Sequence, residues 1–228
     1  MEAVEIERLV ADLEAGDDAY RTPYYLEIAQ YLNAHPRAGR QRIGEFGAAS
    51  NGVIRGLLAA FGHEEYTHLP YPKYDLLDLG NLRKASFDIA ILEQVLEHLP
   101  NPFRAAERLR RILCPGGLVI VPTVLLYPMH YVDAGDKQDF FRYTPLGLRA
   151  VFAAYDVHLA KAYGSLPFVQ HLSEHGWFEQ GRSGGYGANT ISRAKEAGRY
   201  DMGDEDFGVT TLLIASCPRR TPRRFRKT

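Results

Sequence analysis

Apolar and polar positions change period several times along this chain, and each change marks an element. Residues 87–92 form a short, almost continuous apolar run broken only by Asp88. Such a run predicts a strand buried on both faces. From Pro102 the spacing becomes three and four. Phe103, Ala106, Leu109, Ile112 and Leu113 recur among Arg104, Glu107, Arg108, Arg110 and Arg111, which predicts a helix with one buried stripe. Pro115-Gly116-Gly117 stops that helix, and residues 118–121 read as a second buried strand. Strand, helix, strand is a parallel crossover unit, which packs right-handed almost without exception.

The same reading extends in both directions. Residues 2–13 predict a helix through Val4, Ile6, Leu9, Val10 and Leu13, broken by Gly16-Asp17-Asp18. Pro23 opens a second helix with Thr22 as its cap and an aromatic face of Tyr24, Tyr25, Ile28, Tyr31 and Leu32. Residues 41–46 predict a strand, 47–52 a turn, 53–61 a helix and 63–69 another strand. Thr144 and Pro145 cap and start a helix whose buried face is Leu146, Leu148, Val151 and Phe152. Residues 157–163 and 209–216 predict the last two strands. The stretch between them, 164–208, is far longer than a usual connection. It reads as a lid over a substrate or as a contact between two copies in a homodimer. The expected division is an N-terminal helical cap (1–40), a main domain (41–217, with 164–208 inserted) and a basic tail (218–228).

Several motifs in order now bear on identity: Phe87-Asp88, Val95-Leu96-Glu97-His98-Leu99, Asn101-Pro102, Arg111-Ile112-Leu113 and Pro115-Gly116-Gly117. This block resembles the central block of class I S-adenosylmethionine-dependent methyltransferases, and the resemblance runs from about residue 42 to 157. It implies a doubly wound, Rossmann-like α/β domain. Its sheet would have seven mainly parallel strands, with the last antiparallel. It also implies S-adenosylmethionine as cofactor. The stretch 125–148, with Pro128-Met129-His130 followed by Asp139, Arg142, Thr144 and Pro145, resembles a subgroup found in sugar and polysaccharide biosynthesis.

The resemblance assigns positions. In the turn after the first strand, Glu45 and Gly47 match the family's acidic and first glycine positions, while Ala49 and Asn51 stand where further glycines are expected. Pro70 stands near the place of the acid that holds the ribose diol, leaving Tyr71, Lys73 or Asp75 to substitute. Asp78 and Leu79 resemble the loop that touches adenine. Glu93 and Gln94, at the end of the central strand, fall near the methyl donor. For an acceptor hydroxyl, His130 is the candidate base, since an imidazole suits proton removal near neutral pH. Asp139 would orient a group or an acceptor hydroxyl, and Arg142 would hold an acidic part of the substrate or pair with Asp139. Glu97 and His98 read as helix-start packing.

Composition narrows the rest. The chain has 228 residues, 46% hydrophobic and 24% charged, which suits a globular α/β domain with additions. No apolar run approaches the roughly 20 residues that span a bilayer. Two cysteines, Cys114 and Cys217, make no disulfide framework. With an acidic N-terminus lacking a signal-peptide core, the expected location is cytoplasmic. The last ten residues hold six Lys or Arg; without them 21 basic residues face 28 acidic ones. That acidic body argues against a broad nucleic-acid face. It leaves a tail-guided RNA methyltransferase, and a noncatalytic methyltransferase-like scaffold, as alternatives. His171 and His175 alone do not make a metal site, and none is expected. The expected reaction is methyl transfer to a hydroxyl, or less readily an amine, of a small-molecule acceptor, a sugar first.

Overall fold

The computed structural model describes residues 19–47, 52–60, 65–129, 138–175, 193–201 and 208–219. The helix expected over residues 2–13 and all but the first two residues of the basic tail lie outside them. After a 3-10 turn at Ala19–Arg21 come α1 (Thr22–Ala34), β1 (Arg42–Gly47), α2 (Gly52–Ala60), β2 (Glu65–Pro70) and β3 (Phe87–Ile91). A 3-10 turn at Leu96–His98 leads to α3 (Pro102–Ile112), β4 (Leu113–Val124), α4 (Pro145–Val151), β5 (Asp156–Tyr163), α5 (Leu166–Glu174) and β6 (Thr210–Ser216).

These strands form one sheet in the order β2-β1-β3-β4-β6-β5. β1 to β4 are parallel, and β6 runs antiparallel to both its neighbours. The expected doubly wound sheet with an antiparallel last strand is therefore present. Six strands are present among the described residues, against the seven expected. Between β2 and β3 the chain makes turns, because short carboxyl side chains capture backbone N–H groups that a strand would need. Leu77 N donates to Asp75 Oδ1 (2.8 Å) and Gly80 N to Asp78 Oδ1 (3.3 Å). Leu76 and Leu79 anchor this stretch in the core.

The continuous apolar runs are explained by two buried faces. Ile89 and Ile91 of β3 and Leu118 and Ile120 of β4 pack toward Tyr24, Ile28 and Leu32 of α1 and Ile54, Leu57 and Leu58 of α2. Their neighbours Ala90, Val119 and Val121 pack with Leu109 and Ile112 of α3 and Leu148 and Val151 of α4 on the other face. Asp88, which interrupts the run, accepts from Arg42 N and Nε, both at 3.0 Å. Asn101 caps α3 by accepting from Arg104 N (3.0 Å), and Thr144 caps α4 by accepting from Gly147 N (3.0 Å). Gly116 has φ +77°, a left-handed turn that glycine adopts without a Cβ clash, and its N–H donates to Cys217 O (2.8 Å).

Three local expectations are corrected. Thr22 does not cap α1: the helix begins one residue earlier, Arg21 holds the cap position without a side-chain bond, and Thr22 Oγ1 is buried without a partner among the described residues. Phe103 and Leu146 are 60% and 76% exposed. Both stand second in a helix opened by proline, off the arc that faces the sheet. Glu97 and His98 lie on a 3-10 turn rather than on a helix proper.

Candidate active site

The chain leaves β1 toward one edge of the sheet and β3 toward the other. The crevice at that reversal, outside the carboxyl ends of the strands, is where open α/β sheets hold ligands. Gly47 ends β1 with φ +148°, a backbone conformation that a side chain would strain. It pairs in register with Pro70 at the end of β2. Tyr71 N donates to Gly47 O (3.3 Å), and a ring nitrogen of His68 lies 3.2 Å from the same oxygen. Of the three residues left to replace the missing ribose acid, Tyr71 is thus the one beside Gly47. Asp75 is engaged in its own turn, and Lys73 lies over the Tyr74 ring.

Glu93 lies two residues past the end of β3. Its side chain is 4% exposed. Tyr24 OH donates to Oε1 at 2.8 Å and Tyr25 OH at 2.5 Å, with Arg21 Nη1 at 3.5 Å. Oε2 is buried with no partner among the described residues. Burial pushes the carboxyl up from its ordinary range; Arg21 and the two phenols pull it down, and nearby Glu45 pushes it up. Glu45 on β1 is itself buried. Gln94 has φ +51°, its backbone N–H donates to Pro122 O (3.0 Å), and its Nε2 is buried without a partner among the described residues.

A second cluster borders the crevice. Glu97 is fully buried and accepts from Thr123 Oγ1 (2.8 Å). Burial raises its carboxyl too, against the pull of His98, Thr123 and Arg142. Its backbone oxygen receives Phe140 N (2.8 Å) and Phe141 N (3.3 Å), and His98 Nδ1 donates to Gln138 O. The 3-10 turn therefore organises the stretch 138–143. Arg142 then forks onto Asp139, with Nη1–Oδ1 2.5 Å and Nη2–Oδ2 2.8 Å. It also donates through Nε to Tyr127 O (3.1 Å) and through Nη2 to Pro128 O (2.9 Å). Asp139 and Arg142 pair with each other, and the pair ties 138–142 to the loop leaving β4.

Other sequence candidates fall as follows. Ala49, Asn51 and His130 lie outside the described residues. Asp78 is exposed and caps its own turn, and Leu79 is buried in the core. His171 and His175 stack with centroids 4.0 Å apart. Among the described residues no group of His, Cys, Asp or Glu is arranged to hold a metal. No helix among them is long and apolar enough to cross a membrane. The contacts of Arg21, Tyr24 and Tyr25 with Glu93 were not foreseen; the one local signal was the aromatic face at the start of α1.

The donor set suits S-adenosylmethionine, whose sulfonium and ammonium are cationic. The crevice offers the buried carboxyl of Glu45, an amide donor (Gln94 Nε2) without a partner among the described residues, and a glycine-ended strand that lets a ligand approach the backbone.

Comparison with known proteins agrees. Residues 54–121 match the methyltransferase domain family. No curated protein matches the chain. Among solved structures, the chain is similar to a Haloferax volcanii protein assigned as a methyltransferase, in complex with the Trm112 methyltransferase activator. That match has 17% identity and TM-score 0.55 and covers 94% of this chain and 98% of that one. A Bacillus halodurans protein assigned as a methyltransferase aligns at 12% identity and TM-score 0.53 over 84% of this chain and 98% of its own. Phosphoethanolamine N-methyltransferase 2 of Haemonchus contortus, in complex with S-adenosyl-L-methionine, aligns at 13% identity and TM-score 0.51 over 84% and 52%. Residues 54–121 thus fit a methyltransferase domain, and the similar solved structures share the chain's class I, Rossmann-like fold.

Proposed function

We propose that this enzyme transfers the methyl group of S-adenosylmethionine to a hydroxyl of a small molecule, with sugars the first class to test. The observation that carries the methyl-transfer part is that the matched domain, 54–121, runs across the switch-point crevice from α2 through β3 into β4. S-adenosylmethionine supplies an electrophilic methyl group. Gly47 would let its methionine end approach β1, Tyr71 would stand at the ribose, and Glu45 would offset its positive charge. Glu93 and Gln94 would border the transferred methyl, and Ala49, Asn51, Asp78 and Leu79 remain assigned to donor contacts through the resemblance. Fixing acceptor and donor in line converts a two-body encounter into a one-body step, the largest service such a site can offer.

On the acceptor side, the Asp139–Arg142 pair ties 138–142 to Tyr127 and Pro128, and His130, between them in sequence, remains the candidate base through the resemblance. The insertion 164–208 contributes α5. Phe168 and Leu172 of α5 pack with Ala194 and Val209 against Tyr127, and Tyr127 OH lies 3.3 Å from Tyr20 OH. Contacts shared by the insertion, the loop after β4 and the N-terminal segment support reading it as a lid.

The test is transfer of labelled methyl from S-adenosylmethionine to a panel of sugars and sugar-containing metabolites, with small amines beside them because the Haemonchus neighbour is named for an amine acceptor. Label is expected on hydroxyls of the sugar set. Label on amines alone would replace the hydroxyl reading.

A further inference from the structure

Glu93 is held in an asymmetric way that methyl-donor binding does not explain. Three donors, Tyr24 OH, Tyr25 OH and Arg21 Nη1, converge on Oε1. They fix the carboxylate and leave its remaining hydrogen-bonding capacity on Oε2, which is buried without a partner among the described residues. A buried carboxylate oxygen lacking a donor is destabilising, and at the end of β3 it stands at the edge of the sheet where a ligand could supply that donor. The sulfonium is a poor occupant. Its charge disappears as the methyl leaves, so a carboxylate paired with it would favour the ground state over the transition state. The acceptor behaves oppositely: its O–H or N–H grows more acidic as its new bond to carbon forms.

Resting on the methyl-transfer reading above, we propose that Glu93 Oε2 faces the acceptor and takes its proton, a role that sequence reasoning gave to His130. The acceptor atom forms its bond to the methyl carbon. The electron pair of the broken carbon–sulfur bond stays on sulfur, and the acceptor's proton passes to Oε2. Among the described residues the titratable groups facing Glu93 are Arg21 from the turn before α1, Tyr24 and Tyr25 from α1, and Glu45 from β1; Tyr20 stands behind them, accepting from Arg21 Nε. Burial raises the carboxyl above its ordinary range, so Glu93 is ionised and competent above that raised value. Competence is lost as pH falls through it.

The test needs no known acceptor. The full-length protein is titrated calorimetrically with S-adenosylhomocysteine and with sinefungin, an analogue in which the methylated sulfur is replaced by a carbon bearing an amine. That cationic amine lies where methyl and acceptor meet. Sinefungin is expected to bind about 10- to 100-fold tighter than S-adenosylhomocysteine, the range of one charge-assisted hydrogen bond. Glu93→Gln, which keeps the shape and an oxygen for the phenols, should abolish that preference while the variant still binds S-adenosylhomocysteine. In the unaltered protein the preference should shrink as pH falls through the raised Glu93 range, a readout that depends on no variant. A preference that survives Glu93→Gln, that disappears in His130→Ala instead, or that ignores pH overturns the proposal. Equal binding of the two compounds sinks it while leaving the methyl-transfer reading intact. Binding of neither by the folded protein defeats that reading first, and the proposal with it.

Discussion

Arg142→Ala should release the stretch 138–143 from the body of the protein while leaving S-adenosylhomocysteine affinity within about threefold. The Asp139 side chain is 1% exposed, and its pairing with Arg142 is bidentate. Removing one partner of a buried bidentate pair typically costs about 3–5 kcal/mol, and here Asp139 loses its two bonds to the guanidinium. The same guanidinium also bonds Tyr127 O and Pro128 O, so both sides of the loop lose their tie at once. The released amides are identifiable. Phe140 N and Phe141 N donate to Glu97 O, and Tyr143 N to Val124 O. Hydrogen exchange at these three is expected to accelerate roughly 100-fold or more, with β3 and β4 unaffected. Arg142→Lys should fall between, since an ammonium keeps the charge but not the fork. Unchanged exchange in Arg142→Ala would show that the loop is held by its backbone bonds alone.

Phe152→Ala should produce the largest loss of global stability among single changes away from the crevice. The ring is fully buried, meets Tyr155 edge-on at 5.3 Å between centroids, and belongs to the cluster that packs α3 and α4 against the sheet. Tyr155 OH donates to Ala106 O at 2.7 Å, so the cavity left by Phe152 would also loosen the tie to α3. A Phe→Ala change in a close-packed core costs about 3–5 kcal/mol. For a chain of this size that corresponds to a fall in Tm of roughly 10 °C. Thermal unfolding followed by circular dichroism measures it. A fall of less than about 3 °C would mean that the neighbours collapse into the space.

The sheet was legible because its strands are buried on both faces, so residues 87–91 and 118–121 show as apolar runs without needing a partner to explain them. Helix faces were legible only where the stripe was long. In α3 the buried arc is Pro102, Ala105, Ala106, Leu109 and Ile112; at about 100° per residue Phe103 lies well off it. Leu146 fails for the same reason, in a helix too short to average the error away. The seventh strand was carried over from the family, and six stand among the described residues, where Asp75 and Asp78 turn the chain between β2 and β3. Within the site, residues on strand ends could be placed from topology. Contacts such as Tyr24 and Tyr25 on Glu93 join residues 69 and 68 positions apart, and no local spacing announces them. Asp139 and Arg142 are three apart, which is why their pairing could be weighed beforehand.

The crevice between β1 and β3 is expected to bind S-adenosylmethionine although Ala49 and Asn51 replace glycines and Pro70 replaces an acid. Calorimetric titration of the folded protein with S-adenosylmethionine and S-adenosylhomocysteine tests it directly. One site with a Kd in the micromolar range, about −8 kcal/mol, is the expected result. No heat of binding for either compound, with the protein shown to be folded, would contradict the account and favour a methyltransferase-like scaffold that no longer holds the donor.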